Sequence, residues 1–360
     1  MSTNTITIAH APPARRGASR TPALVVLACA VLAAALLEIA SGPVRISPGQ
    51  TLAILGSRLG LALPWTFEPS QAAVLFQLRL PRALLAMEVG AALAVSGAVL
   101  QGLFRNPLVD PGLIGVSSGA SLGAALCIVG GTTTLGLWQR ATIPVAAFLM
   151  ALLATALVYR LARDGERTRI GSMLLAGIAV NAVAGAAIGL LSQISTDAQM
   201  RNLVFWSFGS LGGATWPALA AVTPFIGLAV AALLRLAPAL NALLLGEAEA
   251  GHLGVAVERT RRTAILGAAL AVGAAVAVSG LIGFVGLVVP HMLRLALGPD
   301  HRIVLPGSAL LGALLLLLAD LLARTVASPA ELPIGIVTAL IGAPFFLWLL
   351  RRERRFGAVA

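Results

Sequence analysis

The sequence contains no lysine, so all 25 of its basic residues are arginines. A Walker-type phosphate-binding loop uses a lysine to reach the phosphates of ATP, and this chain therefore has no such loop. Neither a His-Glu-x-x-His pair nor a Cys-x-x-Cys pair occurs. The chain thus lacks its own ATPase site and these two common metal-binding motifs.

Charged residues are also scarce, at 11% of the 360 residues, whereas 58% are hydrophobic. A soluble domain carries about 25% charged residues. The net charge of +11 does not indicate nucleic-acid binding, since no basic patch is interleaved with aromatic residues. The arginines gather instead at the ends of apolar stretches, which is typical of a multi-pass membrane protein.

Only two cysteines are present, Cys29 and Cys127, and both lie inside apolar stretches. They predict neither a disulfide framework nor a metal site.

Apolar runs of about 20 residues, the length that crosses a bilayer as a helix, occur repeatedly along the chain. We therefore predict an all-α polytopic membrane protein. The ten predicted spans are 22–40, 83–103, 111–130, 142–161, 171–194, 215–236, 263–282, 283–297, 304–323 and 334–350.

The distribution of arginines predicts the orientation. With both termini in the cytoplasm, 18 of the 25 arginines fall on the cytoplasmic side. The predicted organisation is a cytoplasmic tail (1–20), one transmembrane domain (21–352) and a second cytoplasmic tail (353–360). A cleaved signal peptide is the alternative interpretation of the first apolar run.

A short sequence motif occurs twice in the chain. Gly-Ala-Ala-Leu-Ala-Val occurs at 90–95 and again at 267–272, in predicted spans that run in opposite directions. Opposed copies indicate an inverted repeat, as in many transporters, although chance matches are common in an alanine-rich chain.

Transport driven by an ion gradient usually needs an ionisable residue inside the helix bundle. The candidates are Glu38, Glu88 and Asp320. Glu38 lies near a span end, where it is expected to reach the membrane interface. Glu88 is expected to pair with Arg82 or to stay protonated, and Asp320 has Arg324 four residues later. Each of these residues also has a structural explanation. The half of the membrane domain predicted to face outward contains no histidine that could relay protons. We expect the energy for transport to come from another subunit.

The longest predicted cytoplasmic connection covers residues 238–262. Its glycine-punctuated apolar turns and acidic residues predict brief amphipathic helices outside the membrane, suited to docking into a partner. An ordinary interfacial loop is the alternative.

That connection resembles the coupling segment of the iron-chelate, haem and cobalamin uptake permeases, the membrane subunits of type II ABC importers. Further motifs between about residues 72 and 352 match the same family in order. They are Arg79-Leu-Pro-Arg82, Gln101-Gly-Leu-Phe-Arg-Asn-Pro-Leu-Val-Asp-Pro-Gly112, Gly115-Val-Ser-Ser-Gly-Ala120, Phe205-Trp-Ser-Phe-Gly-Ser-Leu-Gly-Gly213, Gly283-Phe-Val-Gly-Leu-Val-Val-Pro-His291, Asp300-His-Arg302, Leu318-Ala-Asp320 and Glu331-Leu-Pro-Ile-Gly335.

The resemblance implies the type II permease fold with ten helices and a homodimer in the bacterial inner membrane. Its expected partners are two ATP-binding-cassette ATPase subunits, which hold ATP and Mg²⁺, and a periplasmic substrate-binding protein. No cofactor or metal is expected on this chain.

The resemblance also implies site residues. The outward arginines expected to dock the binding protein are Arg79, Arg82 and Arg324, for which anchoring of helix ends is the alternative. The residues expected to couple to the ATPase are Gly246, Glu247, Glu249, Leu253 and Gly254. Ala248 stands where the family has its second acidic residue, so the resemblance leaves open which glutamate makes the decisive contact.

The translocation pathway is expected along the fifth and tenth spans. Small or weakly polar residues recur there on one face, which suits either a pathway lining or tight helix packing. They are Gly177, Asn181, Gly185 and Gly189 in the fifth span and Gly335, Thr338 and Gly342 in the tenth.

The substrate expectation rests on the resemblance of residues 205–216 to the haem branch of the family. We predict a permease for haem or a related iron chelate, with ferric siderophores and cobalamin as alternatives. An ion-coupled secondary transporter is the alternative from another class.

Overall fold

The computed structural model describes residues 21–42, 44–131, 139–165, 167–327 and 330–357. The N-terminal tail 1–20 and the last three residues lie outside this part of the chain, so the expectations for the tails remain predictions. The described chain is almost entirely helical.

Fifteen α-helices occur in the described residues. In chain order they are α1 (Thr21–Ala40), α2 (Pro48–Arg58), α3 (Pro69–Val74), α4 (Leu80–Phe104), α5 (Val116–Val129), α6 (Gln139–Leu161), α7 (Ile170–Gln193), α8 (Asp197–Ser207), α9 (Trp216–Leu234), α10 (Ala237–Leu243), α11 (Glu247–His252), α12 (Val257–Ser279), α13 (Val285–Leu297), α14 (His301–Thr325) and α15 (Ile334–Gly357). Two short strands, β1 (Arg163–Asp164) and β2 (Arg167–Thr168), pair antiparallel as a hairpin between α6 and α7.

Each of the ten predicted spans coincides with one of these helices. Seven helices are long and apolar enough to cross a membrane, and three shorter apolar ones are Val116–Val129, Val285–Leu297 and Ile334–Leu349. The structure thus confirms an all-helical multi-pass architecture, whereas the number of ten crossings stays a prediction.

α3 and α4 are joined by a π-helical turn at Leu75–Arg79 into one apolar rod of 36 residues. At about 1.5 Å per residue the rod is about 54 Å long. It therefore extends well beyond a hydrocarbon core of about 30 Å. Pro81 has no N–H to donate into the π-turn. The carbonyl of Phe76 instead accepts a 2.8 Å hydrogen bond from the indole Nε1 of Trp216.

The core is built around α4 and α12, the most buried of the long helices. α4 packs most extensively against α14. Their backbones meet at Gly90 and Gly312, where a Cβ on Gly90 would lie 2.2 Å from the Gly312 carbonyl oxygen. Small residues at such crossings allow the close approach that stabilises helices in lipid.

Helix contacts follow the pattern that the repeat predicts. α4 packs against α13 and α14, and α12 packs against α5 and α6. In a repeat of four helices, α4 corresponds to α12, α5 to α13, α6 to α14 and α7 to α15. The contacts of α4 with α13 and α14 then correspond to those of α12 with α5 and α6. The contact between α5 and α6 likewise corresponds to that between α13 and α14. This reciprocity supports a repeat of four helices, and the opposed direction of the copies stays a prediction.

The predicted coupling segment contains two short helices, α10 and α11, as the glycine-punctuated pattern predicts. Its C-terminal part differs from the expectation. α12 already begins at Val257, so residues 257–262 continue into a span and are not part of a free loop.

Candidate functional site

The two ends of α4 lie beside two clusters of charged side chains, one at each end. The cluster at its N-terminal end is centred on Arg82. The guanidinium donates to both carboxylate oxygens of Asp320, at 2.8 and 3.0 Å, and to both oxygens of Glu331, at 2.9 and 3.0 Å. Two bidentate pairs on one guanidinium fix its position and orientation.

Arg324 extends this cluster. Its Nε lies 3.3 Å from Asp320 Oδ2, which confirms the contact predicted from their spacing of four residues. Its Nη2 lies 3.7 Å from Glu38 Oε1. The Glu38 side chain is only 1% exposed, so the expectation that it reaches the membrane interface from a span end is wrong: the carboxylate turns inward towards Arg324.

Arg79 is also buried. Its guanidinium donates to the carbonyls of Ile39 and Ala40, both at 2.9 Å, and to the carbonyl of Val44. These carbonyls belong to the C-terminal end of α1 and the chain after it, which Arg79 holds against the start of α4. The contacts favour the anchoring interpretation for Arg79, and its docking role stays a prediction.

Glu331 is the partly exposed member of this cluster. Its pKa is held below the usual range chiefly by the hydrogen bonds from Arg82. The residue lies outside the helices and ties the connection before α15 to α4. The spacing of Glu331 and Arg82 in the sequence, 249 residues, gave no indication of this pair.

Glu88 does not pair with Arg82. Both carboxylate oxygens instead accept from the hydroxyl of Thr223 in α9, at 2.9 and 3.0 Å.

The second cluster lies at the C-terminal end of α4 and includes α10 and α11. Gly246 and Gly254 flank α11 with φ angles of +129° and +82°, which L side chains rarely adopt. Ala250 lies on the buried side of α11, whereas the flanking residues Leu245 and Leu253 are 67% and 64% exposed. These exposed leucines beside acidic residues form a small apolar knob, a surface suited to a partner protein.

Glu247 and Glu249 differ in their surroundings. Both side chains are exposed. Glu247 Oε1 accepts from Arg261 Nη2 at 2.6 Å, whereas the Glu249 carboxylate lies close above Gly246. A Cβ at Gly246 would lie 2.1 Å from Glu249 Oε2. Glu247 is thus paired with Arg261, whereas Glu249 forms no ion pair within the part of the chain that the structure describes.

Arg261 is a residue that the sequence analysis did not single out. Its Nη1 donates to the Thr168 carbonyl and to Glu258 Oε2, both at 2.9 Å, in addition to the pair with Glu247. The three-residue spacing of Glu258 and Arg261 at the start of α12 was the only signal in the sequence.

α10 is anchored by Asn241, a second residue that sequence reasoning missed. Its Nδ2 donates to Asp300 Oδ1 at 2.6 Å, and its Oδ1 accepts from the His301 backbone amide at 2.9 Å. The hydrogen bond from Asn241 is the main reason why the pKa of Asp300 lies below its usual value. Asp300 also caps α14, so the coupling segment is tied to the start of that helix.

The face of α7 that carries the small residues has a closely packed half and a half that faces open space. A Cβ on Gly177 would lie 1.9 Å from the Leu113 carbonyl oxygen. Asn181 donates to the Gly112 carbonyl at 3.2 Å and accepts from the Ser118 hydroxyl at 2.5 Å. Nothing lies within 4 Å of a Cβ on Gly185 or Gly189. Tight packing thus explains the first two residues, and only the second two face open space.

The corresponding face of α15 packs inward. A Cβ on Gly335 would lie 2.3 Å from the Phe208 carbonyl oxygen, and one on Gly342 would lie 2.5 Å from Phe284 Cβ. Thr338 between them is buried. Within this protomer the three residues serve helix packing, and their role as a pathway lining stays a prediction.

The motif beginning at Phe205 borders a cavity of about 290 Å³. The cavity lies between α8 and the break that follows α12, where Gly280 has a φ angle of +68°. Phe205 and Trp206 line it, and Phe205 is 62% exposed. Among the described residues no group of three or more His, Cys, Asp or Glu side chains is placed to hold a metal ion.

Known proteins share this architecture. The chain is 50% identical to the hemin transport system permease protein of Yersinia pestis over 277 residues, covering 77% of this chain and 83% of that protein. It is 47% identical to a cobalamin import system permease protein of Halobacterium salinarum over 279 residues, covering 77% and 73%. The vitamin B12 import system permease protein of Salmonella typhi is 40% identical over 332 residues, covering 92% and 95%.

Two solved structures are similar to this chain in fold. A structure described as an inward-facing conformation of an ABC transporter assigned to the metal-chelate type has a TM-score of 0.80 and 35% identity, covering 92% of this chain and 99% of that one. The PsaBC protein of Streptococcus pneumoniae, in complex with Fab, shares the fold at a TM-score of 0.51 and 16% identity, covering 74% and 89%.

The model of the FecCD transport family matches residues 29–352, most of the chain. The chain therefore belongs to the FecCD transport family and is a membrane permease of the ABC importer class.

Proposed function

We propose that this permease moves haem, or a closely related iron chelate, across the bacterial inner membrane. The observation that carries the proposal is the 50% identity to the hemin permease of Yersinia pestis. The nearly equal 47% identity to a cobalamin permease makes cobalamin the second candidate, and ferric siderophores are the third.

The active form in this proposal is a homodimer with two ATPase subunits and a periplasmic binding protein. The partner ATPases hold ATP and Mg²⁺. The exposed leucines and Glu249 on the knob around α11 support its role as the ATPase contact, because a solvated apolar surface of this kind gains stability when a partner covers it.

The pathway in this proposal runs along the open half of α7. Gly185 and Gly189 present backbone and no side chain there, which suits passage of a large planar chelate without strong binding. A pathway must hold its substrate weakly enough for release.

Ion-coupled transport is the competing function. The cluster geometry favours a structural role for Asp320, because its carboxylate is paired with two arginines. A carboxylate fixed in this way is poorly suited to bind and release a coupling ion.

The test is haem uptake into proteoliposomes that contain this permease, its ATPase and its binding protein, with ATP enclosed on the ATPase side. We expect uptake that requires ATP and is lost in Glu247→Arg. The matched control is Arg235→Glu, a charge reversal of an exposed residue just before the coupling segment, which should keep uptake.

Other outcomes separate the candidates. ATP-dependent movement of cobalamin or a ferric siderophore without haem would replace only the substrate. Uptake by the permease alone under a proton gradient would contradict the importer mechanism.

A further inference from the structure

Arg261 joins three separate elements through one guanidinium. Nη2 donates to Glu247 in α11 at 2.6 Å. Nη1 donates to Glu258 in the first turn of α12 and to the carbonyl of Thr168 in β2, both at 2.9 Å. The Arg261 side chain is 6% exposed, whereas the side chains of Glu247 and Glu258 are 46% and 36% exposed. The bonds to both carboxylates are charge-assisted.

We call Arg261 and its partners Glu247, Glu258 and Thr168 the joint. Direct hydrogen bonds also link β2 to α12 within it. The Thr168 hydroxyl donates to Glu258 Oε1 at 2.5 Å, and the Thr168 amide donates to Glu258 Oε2 at 3.3 Å. β2 is therefore held to α12 by three hydrogen bonds between Thr168 and the pair Glu258 and Arg261. Among the side-chain hydrogen bonds of the described residues, the one from Arg261 to Glu247 connects this group to α11.

The position of Thr168 gives the joint its importance. Thr168 is two residues before the start of α7, the helix whose second half presents Gly185 and Gly189 to open space. A short chain of contacts thus runs from α11 through Arg261 to the first turn of α12 and to β2, just before α7.

The chemistry of the joint requires arginine. The planar guanidinium presents several N–H groups in fixed directions, whereas lysine is a compact point charge on a flexible stem. An ammonium group at this position cannot hold the three acceptors at the same geometry.

We propose that Arg261 is the positioning residue that transmits movement of α11, driven by the ATPase, to α7. This inference rests on the proposed function of the permease. Arg261 touches no substrate and acts through Glu247, Glu258 and Thr168. Without it, movement of α11 is absorbed locally and does not reach α7.

The first test measures haem uptake and ATP hydrolysis in the same proteoliposomes, for the complete complex. In Arg261→Met we expect the ratio of uptake to hydrolysis to fall about tenfold, within the usual range of coupling between two sites. The ratio should also fall in Arg261→Lys. The control is Arg262→Met, which removes the same charge from the next, exposed residue and should leave the ratio unchanged.

A second measurement is independent of the substrate. Spin labels at exposed His252 in α11 and exposed Gly171 in the first turn of α7 report the distance between these helices in the complex, with and without trapped ATP. In the otherwise unaltered permease the two helices move together and the distance stays constant. In Arg261→Met we expect the distance to change when ATP is trapped.

The outcomes are distinguishable. If the unaltered complex moves cobalamin and not haem, the substrate proposal fails, while the distance measurement still tests Arg261. If the distance responds to ATP equally in Arg261→Met and in the unaltered permease, Arg261 does not transmit the movement. Thr168→Val, which removes only one hydroxyl donor, serves as the milder variant should Arg261→Met assemble poorly.

Discussion

Arg82 and Asp320 lie 238 residues apart in the sequence and form a bidentate ion pair, with Nε–Oδ2 and Nη2–Oδ1 distances of 2.8 and 3.0 Å. Asp320 is 1% exposed. Arg324 provides its second positive partner. This pair fixes α4 against α14 at the end where α1 also meets them.

Asp320→Asn should destabilise the permease. Removing one partner of a buried ion pair leaves uncompensated charge, which costs about 3–5 kcal/mol. We expect a clear fall in the temperature of unfolding in detergent. The double variant Arg82→Met with Asp320→Leu should lose less free energy of unfolding than Arg82→Met and Asp320→Leu lose in sum. The reason is that neither charge of that pair is left without the other. Loss of uptake by Asp320→Asn with unchanged stability would instead support an ion relay.

Glu331→Gln should remove a stabilising contact that depends on pH. The folded-state pKa of Glu331 is depressed, so its stabilising effect is present above the unfolded-state pKa and disappears as pH falls through the folded-state pKa. The difference in unfolding temperature between unaltered and variant protein should be larger at about pH 7 than at about pH 3. An equal difference at both pH values would contradict the ion pair as its cause.

Glycine substitutions in α7 should separate packing from pathway. Gly177→Ala places a Cβ 1.9 Å from the Leu113 carbonyl oxygen and should cost about 1–3 kcal/mol. Gly185→Ala meets open space and should be neutral or stabilising by up to about 1 kcal/mol, because alanine is the better helix former. Thermal unfolding in detergent measures both changes.

Larger side chains at the open positions test transport. Gly185→Phe and Gly189→Phe should assemble normally and slow uptake in proteoliposomes, since each fills space beside the proposed pathway. Full uptake in both variants would exclude this face of α7 from the pathway.

Glu249→Arg should weaken association with the ATPase more than Glu247→Gln. Glu249 is exposed on the knob, whereas Glu247 is bonded to Arg261. Co-purification of the ATPase reports association, and hydrolysis per molecule of substrate reports coupling. We expect Glu249→Arg to reduce the first measurement and Glu247→Gln to affect mainly the second. The reverse result would make Glu247 the decisive contact.

Hydropathy located the helices well because a span must satisfy its backbone internally and present apolar side chains. It misplaced the start of α12, predicted at residue 263 and observed at Val257, because Glu258, Arg259, Arg261 and Arg262 lower the hydropathy of helical turns outside the hydrocarbon. It also placed the end at residue 282, three residues beyond Ser279, where Gly280 with a φ of +68° ends the helix.

Pairings between distant residues could not be predicted in this way. The contact between Asp320 and Arg324 follows from helix geometry, and the structure confirms it. The pairs of Arg82 with Glu331 and of Thr168 with Glu258 depend on how helices pack, which no local pattern specifies. The glycine face of α7 was visible in the sequence, but its division at Asn181 required the position of residues 112–118.

The division of α7 gives the helix the properties of a lever. Gly177 and Asn181, clamped by the chain around Leu113, act as the fulcrum. At about 1.5 Å per residue, the arm from Asn181 back to Ile170 measures about 16 Å and the arm forward to Gln193 about 18 Å. If α7 pivots there as a rigid rod, arms of nearly equal length carry a displacement at the hairpin to the open end at similar size and in the opposite direction.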